Sequence, residues 1–228
     1  YLIKEKIYKP NEILALTFTN KAATEMKERI KDSINCDGVN VGTFHSIGAR
    51  ILRRHIGYLN EKYNNDFTIY DVSDQKALLK EVVERLNIAE FKELNVNFLR
   101  SNLDYFKNNS MTVEEVQAKA NSFEDEKISE VYTLYSELLL SNNAVDFNDL
   151  IGMPIKLFKH SNALLDKYQQ SWKYILVDEF QDTNSPQFDL ISLLAGKHQN
   201  ITVVGDDDQS IYGWRGAKID NILTNFKD

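Results

Sequence analysis

Two hydropathy patterns share this chain. One is a short apolar run without alternation: Ile13-Leu-Ala-Leu16, Tyr174-Ile-Leu-Val177 and Ile201-Thr-Val-Val204, with a briefer version at Val39-Asn-Val41. Runs of this length and kind suit strands buried on both faces of a parallel sheet. The other pattern brings apolar residues back every three or four positions, as a helix requires. After the first run, Thr19 or Asn20 can cap a helix with Ala22, Ala23, Met26 and Ile30 on one face. After Val39-Asn-Val-Gly-Thr43, a second helix turns Ile47, Ile51 and Leu52 inward. A strand that feeds a capped helix N-terminus offers backbone N–H groups and a positive dipole end to an anion. An ordinary βα unit has the same pattern. Ahead of the first run, Leu2 to Ile7 reads as the tail of a helix broken by Pro10 and Asn11.

From about Gly48 to Ser171 the helical period dominates. Ser73 or Asp74 can start one helix, with Leu78, Leu79, Val82, Val83 and Leu86 inward. Leu99, Leu103 and Phe106 mark another, and Thr112 with Glu115 makes a capping box before Val116. Ile128, Val131, Tyr132, Tyr135, Leu138 and Leu139 keep the period well. Asp146-Phe-Asn-Asp-Leu150 is expected to begin a further helix, bent or ended near Gly152 and Pro154. Asp146 and Asp149 read as a cap and a solvated acid. A helical insertion between strands of one sheet predicts a discontinuous α/β lobe, residues 1–47 with 172–228, interrupted by an all-helical lobe at 48–171.

The strand ends carry the candidate chemistry. Tyr174–Val177 runs straight into Asp178 and Glu179. Open α/β sheets bind ligands at the carboxyl edge of their strands. An Asp there can hold Mg²⁺ directly or through water, and a Glu can orient or deprotonate an attacking water. On these residues alone, a buried strand ending in a solvated acidic turn accounts for the pattern better. The second stretch shifts the balance. After Ile201–Val204 come Gly205, three acids and Gln209, a neutral side chain able to sense a phosphate. Tyr212 and Trp214 flank Gly213, with Arg215 next. Aromatics beside glycines, in a segment too polar for a core, suggest a stacking platform for bases.

Composition narrows the class. The 228 residues, 43% hydrophobic and 27% charged, have the make-up of a globular protein with a real core. No apolar run approaches the roughly 18 residues that span a bilayer, so no membrane partner is expected. Cys36 is the only cysteine, which makes a reducing cytoplasm the default compartment. The net charge of −7 argues against nucleic acid only weakly, because a site needs no more than a local positive strip. Basic residues gather at Lys21–Lys31 and at Arg50, Arg53, Arg54 and His55, where a solvated helix face is the plainer explanation.

Val177-Asp-Glu-Phe-Gln-Asp-Thr-Asn184 resembles the Walker B motif, and Gly205-Asp-Asp-Asp-Gln-Ser-Ile-Tyr-Gly-Trp-Arg-Gly-Ala217 resembles motif III, of superfamily 1 DNA helicases in the UvrD/Rep/PcrA branch. Thr17-Phe-Thr-Asn-Lys-Ala-Ala23 is similar to motif Ia, and Gly42-Thr-Phe-His-Ser46 with Arg50 to motif Ib. The resemblance implies a P-loop NTPase (RecA-like) sheet lobe, motor domain 1A, interrupted by domain 1B. It implies ATP and Mg²⁺ as cofactors and movement on single-stranded DNA, 3′ to 5′, in repair or replication. Single-strand/duplex junctions and other repair or replication proteins would be partners. Asp178 would hold Mg²⁺, Glu179 would activate water and Gln209 would report the γ-phosphate. Phe18, Thr19, Asn20, Thr43 and His45 would track the DNA. Tyr212 and Trp214 would stack on bases, and Arg215 would link nucleotide and DNA.

One family element has no counterpart in these residues. No G-x-x-x-x-G-K-[ST] occurs, since Gly196-Lys-His198 has His in place of the hydroxyl residue. The family carries that loop shortly before motif Ia, and an arginine finger in a second motor domain beyond motif III. The chain alone is therefore expected to hydrolyse no ATP. Three other readings stand beside this one. The first two are a subunit of a helicase–nuclease complex and a non-catalytic single-stranded DNA-binding module. The third is a metal nuclease built on Asp206, Asp207 and Asp208, although three consecutive acids on an extended chain cannot all face one site.

Overall fold

The computed structural model describes residues 1–34, 37–206 and 208. In chain order the elements are β1 (Ile13–Thr17), α1 (Asn20–Ile34), β2 (Asn40–Thr43), α2 (Phe44–His55), β3 (Thr68–Tyr70), α3 (Val72–Arg85), α4 (Val96–Asn108) and α5 (Val113–Lys119). They continue with α6 (Phe123–Ser141), β4 (Ala144–Asp146), α7 (Asp149–His160), α8 (Asn162–Ser171), β5 (Tyr174–Val177), α9 (Ser185–Ala195) and β6 (Ile201–Val203). The fold is mixed α/β. It divides into two compact units, residues 1–50 with 154–228 and residues 51–153.

In the first unit β2-β1-β5-β6 form one sheet, parallel throughout. Its central strand β1 is buried at every position, as its unbroken apolar run requires. The other two runs differ from the expectation of burial on both faces. In β5, Ile175 and Val177 are buried while Tyr174 and Leu176 are half-covered. In β6, Thr202 is exposed and Val204 beyond it is 60% exposed. Strand β6 is an edge of the described sheet, and an edge strand has fewer neighbours to cover it. Helix α1 lays Ala23, Met26 and Ile30 against Ala15, Val41 and Leu176. Its cap is Thr19, whose Oγ1 accepts the Ala22 N–H at 3.1 Å.

Residues 1–7 form one helical turn closed by a Schellman motif. The Ile7 N–H reaches Leu2 O, the Lys6 N–H reaches Ile3 O, and Lys6 takes the left-handed φ of 57°. Helix α7 runs through Pro154 without ending there. Leu150, Ile151, Ile155, Leu157 and Phe158 along it are all buried, and that packing outweighs the hydrogen bond a mid-helix proline forfeits.

The second unit is not all-helical. Strands β3 and β4 pair in parallel, with Thr68, Ile69 and Tyr70 opposite Ala144, Val145 and Asp146. Helices α3, α4, α5 and α6 supply its core around Leu79, Val82, Leu99, Val131 and Tyr135. The α3 cap is Asp71, two residues before Ser73 and three before Asp74. Asp71 accepts the Ser73 and Asp74 N–H groups, and Asp74 answers to the Asp71 N–H. Thr112 and Glu115 make the expected capping box.

Asp146 caps the start of α7, as expected: its Oδ1 accepts the Asp149 N–H at 3.1 Å, and Asp149 Oδ2 accepts the Asp146 N–H at 3.1 Å. Asp146 also ends β4, is 2% exposed, and forms a buried ion triad in which Lys107 Nζ donates to Asp146 Oδ2 at 2.5 Å and to Asp149 Oδ2 at 2.8 Å. Tyr135 also donates to Asp146 Oδ2, at 3.2 Å. Asp149 is therefore paired, not solvated. Burial opposes charge on Lys107, but the two carboxylates outweigh it and hold the ammonium well above the usual lysine range. Burial, and then the Asp149 charge, push the Asp146 carboxyl up to about 6 against the pull of Lys107.

Candidate functional site

A parallel sheet collects the carboxyl ends of its strands along one edge, and here the order β2-β1-β5-β6 sets four of them side by side. Thr43 is opposite Thr17, Leu16 is opposite Val177, and Val177 is opposite Val203. The first two ends turn into helices in the same way. Thr17 Oγ1 donates to Thr19 O at 3.0 Å, and Thr19 caps α1. Thr43 Oγ1 accepts the Ser46 N–H at 3.2 Å, and Ser46 Oγ donates back to Thr43 O at 2.9 Å. Gly42 is needed for this return, since a Cβ there would stand 2.6 Å from Ser46 Oγ. Thr19 and Asn20 are exposed, Phe18 and His45 half-buried, Thr43 buried. Arg50 is turned away from this edge: its Nη2 donates to Asn40 Oδ1, at the opposite end of β2.

The acidic end of β5 is held from both sides. The Asp178 N–H reaches Leu16 O at 2.9 Å, the Phe180 N–H reaches Val204 O at 2.9 Å, and the Val204 N–H reaches Val177 O at 2.8 Å. Asp178 is half-buried and Glu179 exposed. Glu179 adopts the left-handed conformation, φ 53° and ψ 44°, and a 3₁₀ turn, Phe180–Asp182, follows it. For a residue with a Cβ that conformation is costly and persists where the surroundings enforce it. The turn then enters α9, where Asn184 and Gln187 cap each other.

Two residues of this turn carry more than the hydropathy pattern suggests. Gln181 is 1% exposed; its Nε2 donates to Glu179 Oε2 at 2.6 Å and its Oε1 accepts the Asp206 N–H at 3.0 Å. Asp182 is 7% exposed, with an Oδ1 that has no hydrogen-bond partner among the described residues. Burial, and then the Glu179 charge, raise its carboxyl above the ordinary range. A glutamine inside a polar run carries no periodicity signal. The available hint was the glycine after the next strand, Gly205, which marks a close approach.

No group of three or more metal-ligating side chains occurs among the described residues. Mg²⁺ takes one or two carboxylates and fills its remaining positions with water and phosphate oxygens. Asp178, half-buried at a strand end, offers such a carboxylate. Gln209, Tyr212, Trp214 and Arg215 lie outside the described residues. No helix among the described residues is long and apolar enough to cross a membrane.

The sequence comparisons agree on one kinship. The chain is 41% identical over 228 residues to "DNA helicase II" of Rickettsia typhi, covering 100% of this chain and 35% of that protein. It is 43% identical over 230 residues to "ATP-dependent DNA helicase PcrA" of Staphylococcus aureus, and 44% identical over 230 residues to the protein of the same name in Staphylococcus epidermidis. Each of these covers the whole chain and 31% of the relative, so the chain spans about a third of the length of the curated relatives it matches. The family model for the UvrD/REP helicase N-terminal domain matches residues 1–228, and the chain belongs to that family.

Proposed function

We propose that the chain is part of the motor of an ATP-dependent DNA helicase and carries groups that act on the nucleotide and on the DNA. On this reading it moves 3′ to 5′ on single-stranded DNA and unwinds at single-strand/duplex junctions in repair or replication. The sheet unit, residues 1–50 with 154–228, corresponds to a P-loop NTPase (RecA-like) motor domain whose expected bounds are 1–47 with 172–228, and the intervening segment is the inserted domain. One observation carries the reading: two capped helix N-termini, at Thr19 and Thr43, share a sheet edge with the Asp178–Glu179 strand end. Anion-binding ends and paired acids on adjacent parallel strands are what a motor needs to couple a nucleotide to a phosphate backbone.

The roles follow from the chemistry of each group. Asp178 holds Mg²⁺, which when bound neutralises charge on the nucleotide's phosphates. Glu179, exposed and fixed in position by its backbone, takes a proton from water or orients it. Phe18, Thr19, Asn20, Thr43 and His45 lie along the DNA strand, with backbone N–H groups of the two helix starts facing its phosphates. Gln209 senses the γ-phosphate, Tyr212 and Trp214 stack on bases, and Arg215 joins the two ligands; for these four the support is the sequence motif. The chain by itself, with no G-x-x-x-x-G-K-[ST] in it, hydrolyses no ATP.

Nucleotide binding separates the two acids. In the whole protein, Glu179→Gln keeps Mg²⁺-dependent ATP binding, because only a proton acceptor is lost. Asp178→Asn weakens that binding, because a charged ligand is lost. Equal binding by wild type and Asp178→Asn across a Mg²⁺ titration would contradict the assignment.

A further inference from the structure

The Gln181 side chain touches both acidic loops at the sheet edge. Its amide donates to Glu179 Oε2 at 2.6 Å and accepts the Asp206 N–H at 3.0 Å. The orientation is fixed by its partners: a carboxylate only accepts and a backbone N–H only donates, so the NH₂ must face Glu179 and the carbonyl must face Asp206. The amide is 1% exposed, and a buried amide that loses either partner leaves a polar atom unsatisfied.

The surrounding backbone is shaped around this amide. A Cβ on Gly205 would stand 2.6 Å from Gln181 Oε1, and 3.2 and 3.3 Å from the backbone nitrogens of Gln181 and Phe180. Only glycine admits this approach. Glu179, meanwhile, keeps a left-handed backbone, and its own carbonyl accepts the Asp182 N–H at 3.0 Å. The left-handed backbone sets the direction of the side chain, and the Gln181 amide engages one of its two oxygens.

We infer that Gln181 is a positioning residue: it orients the Glu179 carboxylate and ties it to the backbone at Asp206, three positions before Gln209 in sequence. The inference rests on the reading of Glu179 as the group that activates water. A shift of the Asp206 backbone is passed to the Glu179 carboxylate through one amide, so hydrolysis is tuned by where Asp206 sits.

The test uses the whole protein, with single-stranded DNA present, and Gln181→Met, which keeps the stem and removes both hydrogen bonds. The expected result is a fall in kcat of about 10- to 100-fold, the scale of a misplaced reacting group, with KM for ATP near wild type. In a Glu179→Gln background the same change should cost nothing further, because residues that act as a unit are not additive. An unchanged kcat, or the same fold loss in both backgrounds, would reduce Gln181 to a clasp between two loops and overturn the inference. Should Gln181→Met fail to fold, Gly205→Ala displaces the same amide, and an unchanged kcat there also overturns it. If instead Glu179→Gln alone keeps wild-type turnover, the reading of Glu179 fails, and this inference fails with it.

Discussion

Thr17 and Thr43 stand opposite one another on the last rung of the β1–β2 ladder, each where its strand gives way to a helix. The Thr43 hydroxyl caps α2 directly by accepting the Ser46 N–H. Thr43→Val keeps the branched shape and removes the acceptor, which should cost about 0.5–2 kcal/mol in urea unfolding, the usual worth of an N-cap. The same variant, placed in the whole protein, should bind single-stranded DNA more weakly, since a frayed helix start presents its N–H groups poorly. Unchanged stability would show that the Thr43 cap contributes nothing.

Lys107 holds Asp146 and Asp149 together from 39 and 42 residues away in sequence, with its side chain only 9% exposed. Removing one partner from a buried ion cluster strands the others. Lys107→Met should therefore destabilise the chain by about 3–5 kcal/mol in chemical denaturation. A loss near zero would mean that the two carboxylates are hydrated or protonated without it.

His198 fastens the starts of β5 and β6. Its Nδ1 accepts the Asn200 N–H at 3.0 Å, so Nε2 carries the proton and donates to Trp172 O at 2.9 Å. Burial lowers the ring's pKa below the ordinary 6.5. The unfolded chain then binds the proton more readily than the folded one. The clasp's stability is fully present above about pH 6.5 and is lost as the pH falls through the folded value. Wild type should gain more thermal stability between about pH 5 and 7 than His198→Gln does. Parallel pH profiles would contradict this.

The sheet unit was largely legible in the sequence, because unbroken apolar runs and hydroxyl-capped helices leave a pattern within a few residues of each feature. Thr19 and the Thr112–Glu115 box were found that way. The three-residue strands β3 and β4 were not, since a triplet such as Thr68-Ile-Tyr70 is too short to show a period and its partner is more than 70 residues away. The Lys107 triad was invisible for the same reason: Asp146 and Asp149 have the spacing of a helix start, and only tertiary packing reveals the buried lysine between them. At the candidate site, Asp178 and Glu179 stood out as acids after an apolar run. Gln181 did not, because its role depends on two partners brought together by the β5–β6 pairing. The motif residues Gln209, Tyr212, Trp214 and Arg215 remain readings of sequence, as they lie outside the described residues.

The central claim is that Glu179 drives ATP hydrolysis in a motor that runs on single-stranded DNA. Phosphate release by the whole protein, measured with and without single-stranded DNA, for wild type and Glu179→Gln, tests it most directly. Wild-type turnover should rise when the DNA is added, and Glu179→Gln should cut the stimulated rate by about 10²–10⁴-fold, the range of general-base catalysis. Turnover indifferent to DNA, or a Glu179→Gln protein as fast as wild type, would contradict the account.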